Sequence, residues 1–472
     1  VATLLDGIDL SATALHLDEG LGGLGLYAAL RESLTAQGID LQELRGSVCF
    51  DPVAAVAAGQ IGDIDHAFSL AHDFLSETEG LPRFRSVTVD ARVYHDAGAS
   101  AVQELACTLG ALAERLARGT KQNWSLSTVL DDLQIIVPIS TSYFVEIAKL
   151  RALRLLTPQV VNAFTSGNQT DLDFSPTDLQ IHAETSRRTE TIYDPYVNML
   201  RATTEAMAAV VGGCDALTVR PYDAALRPPD DFGLRIARNV QLILEHEAHL
   251  DHAADPAAGS YYVETLTDQL AQRAWAQFQE VEVEDGIVEA LRSGTLQQQI
   301  AETRAARREA VDERERVLVG TTHYPALNEQ RRDDIARSDG SPSSNGTAVS
   351  PLPSPTLDAI QTALRDGTTL PVITSALQSG ESPIAPLPRI RVAEDIESIR
   401  LRTEAYADMP DGTPQVLLAP LSPPAARSAR ATFVRNFLGV AGFAIEEPLK
   451  FGSVDEIADA AVEHDADILV LC

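Results

Sequence analysis

The chain has 472 residues, enough for two or three domains with ample core, and its 45% hydrophobic and 5% aromatic content is ordinary for an α/β protein. Against 68 Asp and Glu stand 37 Lys and Arg, a formal net charge of −31, so nucleic acid phosphates and acidic membrane surfaces are repelled and neither is expected as a partner. No run approaches the roughly 18 to 20 apolar residues of a membrane span, the amino end lacks a signal pattern, and Cys49, Cys107, Cys214 and Cys472 lie far apart with no CxxC pair. A cytoplasmic protein with neither a disulfide framework nor a zinc ribbon is expected. The lysines are Lys121, Lys149 and Lys450 alone. An acidic, lysine-poor surface of this kind suits a salt-rich cytosol.

From the start to about residue 325, short apolar runs alternate with helical patterns in βα order, which predicts parallel strands joined by crossover helices. The predicted strands are "TALHLD" (13 to 18), "GSVCFD" (46 to 51), "SVTVDA" (86 to 91), "LQIIVPI" (133 to 139), "LQIHAE" (179 to 184) and "DALTVR" (215 to 220). Between them lie helices such as "AVQELACTLGALAERLA", apolar at helical spacing. A helix from Phe232, a strand near Leu250 and helices from Thr265 onward are expected to close the series. So many βα units over about 300 residues favour a (β/α)8 TIM-type barrel over an open sheet. Fewer than eight strands are convincing, and the first is expected upstream of Val1.

The next stretch, "SDGSPSSNGTAVSPLPSP" (338 to 355), is rich in Ser, Pro and Gly and reads as a flexible linker. A weakly helical stretch and the Pro-rich "ESPIAPLPRI" follow it. From near Arg391 come a charged helix, "QVLLAP", a helix to about Phe437, "GFAIEEP", "SVDEIADAAVEH" and "ADILVLC". That is β-α-β-α-β, the opening half of a flavodoxin-like sheet. The expected division is therefore a barrel over 1–325, a linker over 326–390 and an incomplete flavodoxin-like domain over 391–472.

Several stretches invite a chemical reading and have a blander one. "HEAHLDH" spaces His246, His249 and His252 three apart, but residues i, i+3 and i+6 of a helix fan over an arc of about 120 degrees and two turns, so the three imidazoles do not converge on a metal without a break. Solvated helix-end histidines are the favoured reading. "DPAAGSYYVE" (255 to 264) suggests a loop with aromatic packing. "GGLGL" follows no strand in phosphate-binding register, and "VDERERV" reads as a solvated helical face. No Walker loop, nucleophile elbow or HExxH occurs. No catalytic, cofactor-binding or metal residue is assigned on these grounds.

Longer stretches carry the reading further. "YDPYVNMLRATTEAMAAVVGGCDALTVRPYDAALRPPDDFGLRIARNVQLIL" and "DPAAGSYYVETLTDQLAQRAWAQFQEVE" resemble the substrate-binding barrel of the methylmalonyl-CoA mutase family, as do "AGASAVQELACTL" (97 to 109) and "YFVEIAKLRALR" (143 to 154). The resemblance runs from near Val1 to about 325 and again from about 390 to the end. It implies a carbon-skeleton isomerase in which adenosylcobalamin supplies a radical inside an acyl-CoA-holding barrel, and a flavodoxin-like domain presents a histidine to cobalt. It also implies an amino-terminal arm and first strand before Val1 and two more strands after Cys472, so the chain is expected to be a fragment.

Residue by residue, the groups that the resemblance would require are missing. The family's Asp-x-His-x-x-Gly motif falls on Pro424, Ala426 and Ala429, and its nearby lysine on Pro420. Neither proline nor alanine has a side-chain lone pair for cobalt or a side-chain proton to share. In the barrel, the Tyr-His pair falls on Arg92 and Val93, with His95 two residues out of register. The family's glutamine in this strand falls on Cys49 and the arginine that pairs with the substrate carboxylate on about Gly59, which cannot replace a guanidinium. The His and Asn near the corrin fall on Thr218 and Arg220. This pattern is similar to the small subunit of heterodimeric methylmalonyl-CoA mutases and implies a non-catalytic chain that binds no corrin itself. It would support a large subunit that carries adenosylcobalamin and interconverts methylmalonyl-CoA and succinyl-CoA in propionate metabolism. An active barrel subunit that uses a cobalamin domain on another chain is the alternative, and a repurposed barrel enzyme is a third possibility.

Overall fold

The computed structural model describes residues 3, 5–10, 12–122, 124–167, 174–327, 329, 356–378, 383–407, 412–419, 424–447 and 451–472. The expected linker core, 338–355, and Pro420 lie outside the described residues, as do the side chains of Pro424 and Ala426.

Seven short strands follow one another: β1 Leu15–Leu17, β2 Gly46–Val48, β3 Phe84–Arg85, β4 Thr88–Asp90, β5 Gln134–Ile139, β6 Gln180–Thr185 and β7 Ala216–Thr218. They pair in chain order, β1-β2-β3 and β4-β5-β6-β7, and every pair is parallel. The Thr88 amide donates to Phe50 O at 2.9 Å, which carries the ladder from the β2 side onto β4. All six predicted strands are therefore present, in the predicted order. β5 is buried at every residue, as expected of an apolar strand covered on both faces. The sheet curls: the rings of His16 on β1 and His182 on β6 lie 4.5 Å apart.

Parallel neighbours need crossovers, and the sequence marks where these begin. Ser100 and Gln103 form a reciprocal capping box at the start of the helix Ala101–Lys121. Asp51 accepts from the Val53 and Ala54 amides ahead of the helix Pro52–Ala57, with proline at the position where a missing N–H costs nothing. The helix Tyr261–Val283 packs across Ala101–Lys121 and Tyr143–Gly167.

Two expectations need correction. No strand forms near Leu250: the helix Asp231–Leu242 runs into a π turn at Ile243–Glu247 and a 3-10 turn at Leu250–His252, with His249 left-handed at φ +54°. One alternating set of "HEAHLDH" is wholly polar and the other holds only Ala248 and Leu250 between two histidines, so a strand there has little to bury. The expected linker 326–390 also contains ordered structure. Helices Leu357–Arg365 and Leu370–Leu377 lie on the helix Gly22–Gln37, and Leu357, Ile360, Ile373 and Leu377 join the main core. The glycines of "GGLGL" make this approach possible. A Cβ on Gly22 would meet Thr374 Oγ1 at 3.3 Å and one on Gly25 would meet Leu370 Cδ2 at 3.0 Å, while Gly23 faces β2, where a Cβ would meet Val48 Cγ1 at 2.9 Å.

A strap over 383–393 then crosses the carboxyl ends of the strands. The Leu387 amide donates to Ala57 O (2.8 Å), Ile390 to Asp96 O (3.0 Å) and Val392 to Arg188 O (2.9 Å). After the helix Glu394–Ala407 come β8 Gln415–Ala419, β9 Ala444–Glu446 and β10 Ile468–Leu471, with helices Pro424–Gly439 and Val454–Glu463 between them. This parallel sheet has β8 in the centre, flanked by β9 and β10. In its own numbering the order is 2-1-3, the beginning of the flavodoxin-like order. Among the described residues, no helix is long and apolar enough to cross a membrane.

Candidate functional site

The carboxyl ends of the strands open on a cavity of about 540 Å³, where α/β folds bind ligands. Its lining includes Asp18 just past β1, Cys49 and Asp51 past β2, Asp90 and Arg92 at the end of β4, Glu184 on β6 and Arg220 past β7. Leu387, Pro388 and Arg389 of the strap form part of the wall.

Arg92 is the hub. Its guanidinium donates to Asp18 (Nη2 to Oδ1, 2.8 Å), to Asp90 (Nη2 to Oδ2, 2.7 Å) and, through Nη1, to Glu184. Arg220 closes the other side, with Nε 2.8 Å from Glu190 Oε1 and Nη1 3.3 Å from Glu184 Oε1. Burial alone would lower the affinity of Arg92 for its proton, but Asp90 and Glu184 outweigh it and hold the guanidinium firmly charged. The same balance acts on Asp18, whose carboxyl is held below its usual range by Arg92 despite burial. Asp51 has no such partner: burial pushes it up to about 7, the Asp90 carboxylate adds to the rise, and hydrogen bonds from the Asp90 amide and the helix-capping amides oppose it.

Six carboxyl groups and three guanidinium groups line this cavity, and the third, Arg389, is taken by Asp96 at 3.1 Å. An acyl-CoA brings a carboxylate and phosphates, so it meets a surplus of like charge and no free guanidinium here. Burial pushes the Cys49 thiol up to about 12, far from a thiolate nucleophile. His182 is driven down to about 3 by burial, His16 and Arg92. It stays neutral, with Nε2 2.8 Å from Thr218 Oγ1, while His16 Nδ1 lies 2.7 Å from Ser47 Oγ.

Cys49, Arg92, Val93 and Arg220, positions singled out in the sequence, thus meet at one cavity, and Thr218 holds the histidine beneath it. Gly59 lies beside the strap instead: at φ +72°, a Cβ there would meet Pro386 Cβ at 3.0 Å. His95 is fully buried, with Nδ1 2.6 Å from Glu104 Oε1 and Nε2 2.6 Å from Ser186 Oγ. Glu104 also takes a 2.7 Å bond from the buried Lys149 ammonium. Both ring nitrogens of His95 are committed, and it does not line the cavity. His246, His249 and His252 are exposed, and no group of three metal-ligating side chains occurs among the described residues. The Arg92 network itself was missed in the sequence. Its signal was Asp90-x-Arg92 at one strand end with Asp18 directly after another.

Residues 1–348 match the family described as Methylmalonyl-CoA mutase. The chain belongs to the methylmalonyl-CoA mutase family. It is similar to the methylmalonyl-CoA mutase small subunit of Porphyromonas gingivalis, 32% identical over 100% of this chain and 70% of that protein. The small subunit of Streptomyces virginiae is 33% identical over 99% of this chain and 68% of its own length. The methylmalonyl-CoA mutase of Rhizobium meliloti is 34% identical, but over 70% of this chain and 46% of that protein.

Adenosylcobalamin is the cofactor implied by the resemblance to this family, and the residues expected to face it can be placed in the structure. Beyond β8, the residues on which the resemblance would set the cobalt-binding motif, Pro424, Ala426 and Ala429, fall in the first turns of the helix Pro424–Gly439. A methyl group and a pyrrolidine ring offer no electron pair to a metal. On the barrel side, Arg220 is tied to Glu184 and Glu190, and Thr218 to His182.

Proposed function

We propose that this chain is the non-catalytic small subunit of a heterodimeric methylmalonyl-CoA mutase. Its partner is a catalytic large subunit, which carries adenosylcobalamin and interconverts methylmalonyl-CoA and succinyl-CoA in the cytoplasm. The observation that carries this reading is the closed ion-pair network of Arg92 and Arg220 with Asp18, Asp90, Glu184 and Glu190. In a working site those groups would face substrate, whereas here they face one another.

Two further observations support the reading. The small subunits of Porphyromonas gingivalis and Streptomyces virginiae align with essentially the whole chain, whereas the Rhizobium meliloti mutase aligns with 70% of it. Aromatic side chains also stand exposed at the first turns of successive helices: Phe144, Tyr196, Phe232, Tyr261 and Tyr262. Surfaces of this kind suit a partner protein, and a chain that keeps the shape of a relative retains the pseudo-symmetric contact without needing its chemistry. Binding there would stabilise the large subunit by mass action.

The test is a turnover assay with methylmalonyl-CoA and adenosylcobalamin on the chain alone, the large subunit alone and the two co-expressed. The expected result is no turnover by the chain alone and a co-purifying active pair. Turnover by the isolated chain would overturn the reading.

A further inference from the structure

A second cavity, of about 110 Å³, lies where the strap passes the helix Thr295–Asp312 and the turn Arg187–Thr189. Six arginines line it: Arg188, Arg304, Arg307, Arg308, Arg316 and Arg391. In a chain of net charge −31, such a concentration runs against the composition. The acidic residues of its rim are already engaged, Asp395 with Arg308 and Glu394 with the Arg391 amide.

The inner arginines differ from those of the first cavity. Arg188, Arg307 and Arg316 form no ion pair with a carboxylate among the described residues. Arg307 Nη1 donates to the Gly98 and Ala99 carbonyls at 3.2 and 2.7 Å. Arg188 is 4% exposed, its Nη1 makes a long 3.4 Å contact to Ala99 O, and its Nε is buried without a partner. Arg316 makes no side-chain hydrogen bond among those described. Burial and the neighbouring Arg188 and Arg316 lower Arg307 to about 10, with Glu104 and Glu146 offsetting only part of the effect. Buried charges left uncompensated are costly. A tetrahedral dianion would relieve all three, because guanidinium forks bond such oxygens two at a time.

We propose that this cavity is a phosphate site, which takes inorganic phosphate or the phosphate of a small phosphomonoester. Arg188, Arg307 and Arg316 supply the donors. The strap is bound to both sides of the site, through the Ile390 amide on Asp96 O and the Val392 amide on Arg188 O. An occupant would therefore join the strap and the helix Thr295–Asp312 to the strand ends. This site stands independently of the subunit role.

The test uses the full chain, with calorimetric titration and thermal unfolding in inorganic phosphate, glycerol phosphate or chloride at one ionic strength, because salt alone screens so acidic a surface. Saturable one-site binding and a rise in Tm with phosphate or glycerol phosphate beyond that with chloride are expected. The tighter of the two identifies the source of the ligand. Arg316→Gln is expected to weaken binding about tenfold or more, the cost of losing a charged hydrogen bond, with the unliganded Tm unchanged or raised because one like charge is removed. If that variant is itself destabilised, Arg316→Lys keeps the charge and is expected to bind more tightly than Arg316→Gln. Equal responses to all three salts, or wild-type affinity in Arg316→Gln, would overturn the proposal.

Discussion

Arg92 and His95 sit three residues apart and show how differently two conspicuous polar residues are used. Arg92 gathers three carboxylates from three strand ends, whereas His95 is locked between Glu104 and Ser186 in the core. The strand-end positions of Asp18, Asp90 and Arg92 were legible in the sequence. Their pairing was not, because it depends on the curl that brings β1, β4 and β6 together. Arg92→Leu leaves those carboxylates uncompensated and partly buried, and a loss of about 2 to 3 kcal/mol in denaturant unfolding is expected. Asp51 gives a pH signature. Its folded value of about 7 lies above the ordinary carboxyl value of 3.8, so the native state holds the proton more tightly than the unfolded chain. Its contribution is fully present below about pH 4 and is lost as pH rises through about 7. Asp51→Asn keeps the helix cap and should flatten that part of the stability-pH curve; an unchanged slope between pH 4 and 7 would count against the assignment.

At the scale of elements, the order of the strands was legible because each buried strand is a short apolar run bounded by turn residues. The closing strand near Leu250 was misread because length and βα rhythm suggested one, while the residues there offer only Ala248 and Leu250 on an otherwise polar stretch. The helices Leu357–Arg365 and Leu370–Leu377 were legible only as a weakly helical stretch, for another reason. They are short and flanked by Pro, Ser and Gly, and their order comes from docking on the glycine face of Gly22–Gln37 rather than from helix propensity. The strap is held similarly by shape, with Pro386 seated against Gly59. Gly59→Val adds a β-branched side chain at a left-handed position and into that contact, a cost of about 1 to 3 kcal/mol. Hydrogen exchange at the Leu387 amide, which bonds Ala57 O, is expected to speed up; protection equal to wild type would show that the strap is anchored elsewhere.

Across the whole molecule, 68 acidic residues repel one another, and of the three lysines Lys149 is consumed inside the core by Glu104 and Glu146. Screening reduces this repulsion, so Tm is expected to rise as potassium chloride is added from low to molar concentration, and a flat or falling Tm would contradict that. The same whole-molecule view joins the two ends of the argument. A parallel, barrel-like sheet has a cavity that closes on its own charges, and the proposed reading is that the 2-1-3 sheet has the flavodoxin-like beginning without a ligand for cobalt. The most direct test of that claim is the visible absorbance of the chain after incubation with adenosylcobalamin and gel filtration, alone and paired with the large subunit. The expected result is no corrin in the isolated chain and one corrin per pair; stoichiometric corrin eluting with the chain alone would contradict it.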